Sequence, residues 1–375
     1  MLRDISWRYF DFLLLGAVVL AIAFGTTMIR SAVAGNEELL PLINRQIYFG
    51  LLGVFLIFFL AAIDYRYWMA LYRPIHFVIL GFLVTLTGFG QTAFGAQRWF
   101  QVGVLFLQPT EFAKIAAIII LARYFDHTQN QPSDARWAIG AVLRATPIIG
   151  LILLQPNLSN VVVLSVILAV MMWFNGVQVK HVIFAGSVGA VLLSIVFGLT
   201  FLGIDIPFLQ DYQQKRIENF ILPDQEETFG ETYNIDQAKI AIGSGGLFGQ
   251  GYGHGTQTQL RFLKVRHTDF IFSSISEEFG MVGSLTVIVI IVFIVWRCLR
   301  AAQKAQDVGG MSIAYGVAVL IFFQGMANVA VNLNVIPVSG LPLPFISYGG
   351  SGLTSLMLAI GLVQSVAMRH RQLDF

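Results

Sequence analysis

Residues 10–30 read FDFLLLGAVVLAIAFGTTMIR, and this stretch decides the fold class. Between Asp11 and Arg30 no residue is charged. A helix rises about 1.5 Å per residue, so about 20 such residues cross a hydrocarbon layer of about 30 Å. The run follows Met1–Arg8 without a small-residue cleavage pattern, which predicts a first spanning helix and not a removable signal. Comparable windows recur at 46–64, 74–90, 109–125, 138–155, 157–175, 181–203, 274–297, 311–333 and 347–368. The expected fold is therefore all-α: a polytopic integral membrane protein of about ten transmembrane helices, one domain over residues 1–375.

Composition agrees. The chain has 375 residues, of which 56% are hydrophobic and 12% charged, with mean hydropathy +0.74. Soluble domains carry about 25% charged residues. A soluble chain of this length has no core large enough for so much apolar surface, whereas lipid accepts it. The net charge of +2 and the lack of a basic tract argue against nucleic acid. Cys298 is the sole cysteine, so no internal disulfide is possible.

Ten spans place both termini on one side, and the distribution of Lys and Arg chooses which. With the N-terminus inside, the inner segments hold 12 basic residues and the short outer loops only Arg30, Arg45 and Arg98. Both termini are expected in the cytoplasm. A long extracytoplasmic loop, 204–270, is then expected between helices 7 and 8. Within it, 211–222 (DYQQKRIENFIL) suits a short interfacial helix, and 243–255 holds seven glycines in thirteen residues.

Motifs for nucleotide or zinc chemistry are missing. There is no GxxxxGK[ST], no HExxH and no strict GxGxxG, and His254 and His267 have no evident ligand partners. Charges in or beside spans are costly and mark candidate sites. Glu111 and Lys114, three apart behind Pro109, share one helical face. They are either a self-neutralising pair that ties helices together or the wall of a polar cavity. Arg98 beside Trp99 is an interfacial anchor or a bidentate phosphate contact. Asp269, in RHTDFIFSSISEEFG, is a helix cap or a partly desolvated base. Glu277 and Glu278, deeper in the same segment, are expected to face a polar interior or a neighbour's backbone. Gln155-Pro156-Asn157 forms a tight turn. The segment PVSGLPLPFISYGGSG (337–352) allows broken or re-entrant backbone, which at membrane depth must be covered by protein or line a cavity. Arg98, Glu111, Lys114, Asn157, the glycine-rich stretch, Asp269 and Ser347-Tyr348-Gly349-Gly350 all fall at the outer helix ends. A shared outward cavity explains that clustering.

In these segments the chain resembles the SEDS family, whose members include RodA, FtsW and SpoVE. The matching stretches are GAQRW (95–99), QPTEFAK (108–114), QPN (155–157), AIGSGGLFGQGYGHGTQTQ (241–259), HTDFIFSSISEEFG (267–280) and LPLPFISYGGSG (341–352). They run in order along nearly the whole chain, and GTQTQ with HTDFIF looks closer to RodA. The resemblance implies a peptidoglycan glycosyltransferase that polymerises lipid II at the outer face of the bacterial cytoplasmic membrane, for cell elongation. It implies a class B penicillin-binding protein, a single-pass transpeptidase, as partner, and lipid II and undecaprenyl-pyrophosphate-linked glycan as substrates. It aligns the family's essential acid with Asp269 and its conserved Arg, Glu and Lys with Arg98, Glu111 and Lys114. Substrate contacts are expected from these three and from Asn157, Gln257, Ser347, Tyr348 and Gly349. A divalent cation, Mg or Mn, is a candidate cofactor without a legible ligand set; no organic cofactor is expected. Two departures stand out: Asn157 where the family has an acid, which puts a charge-dependent role there in doubt, and Lys264 where it often has proline.

Two other readings compete. A flippase for a lipid-linked precursor requires a polar path at the inner end, for which Arg144 is the one strong candidate. A non-catalytic scaffold for the transpeptidase requires no base at all.

Overall fold

The computed structural model describes residues 7–89, 91–93, 96–102, 105–131, 134–202, 204, 210–221 and 231–369. Fourteen helices are present among them: α1 Phe12–Ala32, α2 Pro41–Ala62, α3 Tyr65–Ala70, α4 Tyr72–Phe89, α5 Pro109–His127, α6 Ala135–Leu154, α7 Leu158–Phe174, α8 Val179–Phe201, α9 Asp211–Ile221, α10 Glu231–Gly245, α11 Thr256–Gln259, α12 Ile271–Gln303, α13 Val308–Asn332 and α14 Gly350–Met368. Helix starts follow local chemistry. Asp11, Asp64, Asp134, Asn157 and Asp307 each accept a backbone N–H of the turn that follows, and Pro41 and Pro109 occupy first-turn positions whose N–H needs no partner.

Helix α14 is central. It packs against α2, α5, α12 and α13, and 78% of its apolar window is buried, against 28% for α6 and for α12. The outer helices keep large apolar side chains exposed, among them Phe55, Phe77, Leu143 and Val289. In water such faces would be untenable, but against lipid tails they are the expected surface.

Among the described residues six helices are long and apolar enough to cross a membrane: α1, α2, α6, α12, α13 and α14. This corrects the expectation of about ten on the measure of length and composition. The apolar parts of α4, α7 and α8 (Tyr72–Leu86, Leu158–Phe174 and Gly186–Phe201) are shorter. Helix α5 carries Glu111, Lys114, Arg123 and Asp126 and is enclosed by protein, with 15 of its residues buried. Neighbouring helices, not lipid, are its solvent.

Two features depart from the expected all-helical pattern. Strands β1 Gln91–Ala93, β2 Ala96–Val102 and β3 Leu105–Leu107 form a small antiparallel sheet in the order β1-β2-β3. The stretch expected as one long loop holds three helices, α9, α10 and α11; residues 203, 205–209 and 222–230 lie outside the described ones. Helix α9 covers the expected short helix and packs on α8, with Phe220 edge-on to Phe197.

Helix α12 is interrupted at Gly280, where φ is 65° and ψ −157°. The glycine-rich stretch repairs the break. Gln250 and Gly251 donate their N–H groups to the carbonyls of Glu277 and Glu278 at 2.9 and 3.0 Å, and Met281 and Val282 donate to Gly246 and Leu247 at 2.9 and 3.2 Å. Gly249, at φ 81°, approaches so closely that an added Cβ would overlap the Glu278 carbonyl. Glycine here permits backbone-to-backbone contact.

Candidate functional site

The candidate site is built around residues 267–269 and 337–352. Three consecutive carbonyls are held there. His267 O accepts from Tyr348 N at 3.0 Å. Thr268 O accepts from Ser347 Oγ at 2.7 Å. Asp269 O accepts from Asn328 Nδ2 and Asn332 Nδ2, each at 2.9 Å. Asp269 itself is half-buried, and its Oδ2 lies 3.9 Å from the position a Cβ on Gly340 would take. Gly340 has φ 67°, a left-handed conformation that suits glycine.

The 337–352 segment reaches most of the neighbouring helix ends. Ser339 O accepts from Ser159 Oγ of α7 at 2.5 Å. Leu341 O accepts from Asn328 Nδ2 of α13 at 2.9 Å. Ser347 O accepts from Gln46 Nε2 of α2 at 3.4 Å. Ser351 Oγ accepts from Gln108 N, at the start of α5, and donates to Phe106 O of β3, both at 3.0 Å. Tyr348 bonds to Arg45, whose charge favours the phenolate, but burial dominates and pushes the phenol up from its usual range. Gly349 is extended, at φ 170°.

The Glu111–Lys114 pair is buried, with side chains 5% and 1% exposed and Lys114 Nζ 2.7 Å from Glu111 Oε1. Glu111 Oε2 lies 3.6 Å from where a Cβ on Gly352 would sit. The carboxylate is thus beside the first turn of α14, an end that favours negative charge. The 337–352 segment therefore touches both groups: Ser347 and Tyr348 hold the backbone just before Asp269, and Gly352 lies beside Glu111, the partner of Lys114. Asn157 joins at the edge. It caps α7, its Oδ1 accepting from Asn160 N at 3.5 Å, and its buried Nδ2 has no hydrogen-bond partner. Arg98 belongs to β2, and its side chain lies outside the described residues.

The glycine-rich stretch and Gln257 have a different setting. Gln257 N and Thr258 N donate to Glu277 Oε1 and Oε2 at 2.7 and 3.0 Å, so this carboxylate caps α11. Glu278 Oε1 accepts from Ser31 Oγ and from Gln259 Nε2. Both acids therefore face polar neighbours, as their position required. Gln257 Oε1 remains buried without a partner.

His267 is held neutral. Burial first, and the neighbouring Arg266 charge second, push its imidazole down to about 4. Arg266 is lowered as well, chiefly by burial, and donates to the carbonyls of Ala32 and Leu263. Asn328 and Asn332 were invisible as site residues because they sit in an apolar run. Two amides four apart on a helix face were the available signal. In the sequence Arg45 counts only toward the charge of the outer loops, and Gln46 only as the first residue of a span.

Among the described residues no three His, Cys, Asp or Glu side chains gather into a metal site. Glu111 is committed to Lys114, and Asn157 supplies a neutral oxygen. No chemical step is routed through a divalent cation. Arg144, the residue a polar inner path would need, lies 4.1 Å over the Tyr124 ring and donates to Gly140 O at 2.7 Å.

The chain matches known proteins over nearly its full length. The family described as cell cycle protein, with FtsW, RodA and SpoVE as its members, matches residues 6–372. Peptidoglycan glycosyltransferase MrdB of Escherichia coli K12 is 31% identical over 95% of this chain and 93% of its own. Stage V sporulation protein E of Bacillus subtilis 168 is 34% identical over 96% of this chain and 98% of its own. Among solved structures, a chain of a peptidoglycan synthase complex that coordinates polymerization and crosslinking is similar, with TM-score 0.81, 26% identity and coverage of 98% and 100%. The rod shape determining protein RodA of Thermus thermophilus is similar with TM-score 0.72, 27% identity and coverage of 98% and 99%. With a family match over nearly the whole chain and relatives above 30% identity, the chain belongs to the FtsW/RodA/SpoVE family.

Proposed function

We propose that this chain is a peptidoglycan glycosyltransferase of the bacterial cytoplasmic membrane that polymerises lipid II, with Asp269 as its general base. Family membership and full-length similarity to a named peptidoglycan glycosyltransferase support the reaction. The observation that supports the site is that the 337–352 segment is hydrogen-bonded to the backbone of residues 267–268 and to the start of α5 at Gln108, with the Glu111–Lys114 pair beside Gly352.

In the proposed step the sugar 4-hydroxyl of one lipid II attacks the anomeric carbon of the lipid-linked chain. The new C–O bond forms as the bond to pyrophosphate breaks, and the electron pair leaves with the pyrophosphate. Asp269 takes the hydroxyl proton, a role worth about 10²–10⁴-fold. Attack opposite the leaving group inverts the anomeric centre. Arg98 and Lys114 are the cations assigned to the leaving pyrophosphate. Lys114 is enclosed and paired with Glu111, which orients it, so it would act on the leaving group only as part of that pair. Asn157, Gln257, Ser347, Tyr348 and Gly349 are assigned to substrate binding, with Ser347 also holding Thr268.

The ten-span topology is part of the same proposal. Ten helices, α1, α2, α4–α8 and α12–α14, each cover most of one expected window, and the charged α5 crosses within protein. The basic residues then set both termini in the cytoplasm and the site outside. A single-pass class B penicillin-binding protein is the proposed partner, on the likeness to a synthase complex that couples polymerization to crosslinking. The RodA-like string around Asp269 assigns the activity to cell elongation.

Asp269→Ala and Asp269→Asn, purified with the partner, test the proposal in a lipid II polymerisation assay. Both should lose polymer formation while remaining folded. Full activity in either removes Asp269 as the base. Translocation of lipid II in reconstituted vesicles without polymer would favour the flippase, and normal wall synthesis by Asp269→Ala with an intact complex would favour the scaffold.

A further inference from the structure

In an uninterrupted helix the N–H of Ser273 would donate to the carbonyl of Asp269, four residues earlier. Here it does not. Ser273 N donates to Asn332 Oδ1 at 3.1 Å, and Asn332 Nδ2 donates to Asp269 O at 2.9 Å. The carboxamide of Asn332 is spliced into the hydrogen-bond ladder between the two backbone groups. Ser273 Oγ also donates to Asn332 Oδ1, at 2.6 Å. The amide is anchored at its other edge by Asn328 O, 2.9 Å from Nδ2. Asn332 is fully buried and Asn328 1% exposed, so these amides have no water to exchange with.

The splice has a geometric consequence. The first ladder bond of α12 is Ser274 N to Phe270 O, and Asp269 is kept one step outside the helix. With Tyr348 and Ser347 holding the two preceding carbonyls, the backbone on both sides of the Asp269 side chain is fixed. Rotation there would leave buried polar groups unpaired. A general base must stand within hydrogen-bond reach of the proton it removes, and a shift of 1 Å can cost about 10²-fold.

We infer that Asn332, assisted by Asn328, is a positioning residue: its carboxamide, inserted between Ser273 N–H and Asp269 C=O, sets the place from which Asp269 acts. The inference rests on the reading of Asp269 as the base.

The test uses Asn332→Asp and Asn332→Ala in the full chain with its transpeptidase partner, measured for lipid II polymerisation across the pH range of activity. Asn332→Asp keeps the acceptor for Ser273 but turns a carboxylate oxygen toward Asp269 O. It should lower kcat on the order of 10–100-fold with KM nearly unchanged. A protonated carboxyl regains one O–H donor, so the ratio of variant to wild-type rate should rise as pH falls. Asn332→Ala should lose activity with a flat ratio. Wild-type kcat in both variants, a loss confined to KM, or a flat ratio for Asn332→Asp would overturn the inference. If Asn332→Asp is not recovered monodisperse, Asn328→Asp, which removes the other donor to the same carbonyl, is judged by the same criteria. Asp269→Ala runs in parallel. Its activity would overturn the base reading and this inference together, whereas an inactive Asp269→Ala beside fully active asparagine variants would overturn only the positioning role.

Discussion

Glu111 and Lys114 can be separated into a structural role and a chemical one by a double-mutant cycle. The single variants are Glu111→Gln and Lys114→Met, and the double variant carries both. The pair is 2.7 Å apart with side chains 5% and 1% exposed, so either single change strands a buried charge. Coulomb attraction at an effective dielectric of 20 and about 4 Å between charge centres is ~4 kcal/mol. Removing one partner of a buried pair costs about 3–5 kcal/mol by experience elsewhere, whereas replacing both is often neutral. Thermal unfolding in detergent should therefore show two destabilised single variants and a double variant near wild type, so that the two single losses fail to add. Polymerisation should behave differently. If Lys114 stabilises charge on the leaving pyrophosphate, the refolded-to-normal double variant should still be slow, on the order of 10²–10³-fold. A double variant that is both stable and fully active would refute that reasoning and leave the pair as a helix tie.

Other outcomes follow from single features. Gly280→Ala should destabilise the chain by about 2–5 kcal/mol in a thermal melt, because its φ of 65° and a Cβ 2.5 Å from Gly249 N combine strain with overlap. His267 binds protons more weakly folded than unfolded, so its contribution to stability is full above the unfolded value near 6.5 and is lost as pH falls to about 4. Melting temperature should drop over that window in wild type and drop less in His267→Gln. Arg144→Leu should leave polymerisation unchanged while lowering stability modestly, by about 1 kcal/mol, since its contacts are with Tyr124 and Gly140.

Much of the fold could be read from hydropathy, because a lipid solvent writes its demand into runs of about 20 residues. FDFLLLGAVVLAIAF needs nothing else to be a helix. Where protein replaces lipid as the neighbour, that demand disappears. Helix α5 tolerates Glu111 and Lys114 because each is the other's partner and protein encloses them both, and composition alone does not show that enclosure. The strands at 91–107 are three to seven residues long, too short to show alternation. The break at Gly280 hides in SEEFGMVG, which reads as an ordinary helical turn. Its signal lay thirty residues earlier, in glycines that looked like a candidate cavity and serve as backbone donors and acceptors. Asp269 and SYGG were legible as a cluster at one end. What joins them, Asn328 and Asn332, was not, because an asparagine in an apolar helix announces polarity without naming its partner.

Helix α12 has 33 residues, about 50 Å of helix against a hydrocarbon layer of about 30 Å. The break divides that excess. Beyond Gly280 the part through Gln303 is long enough alone for the layer, while Ile271–Phe279 is a buried stalk of up to about 15 Å. On the proposed topology the stalk works as a ruler, setting how far Asp269 stands from the acyl chains and so from the charge of a polyprenyl pyrophosphate. Lengthening or shortening the stalk by one helical turn would therefore change the reach of the enzyme without touching a single group that does chemistry.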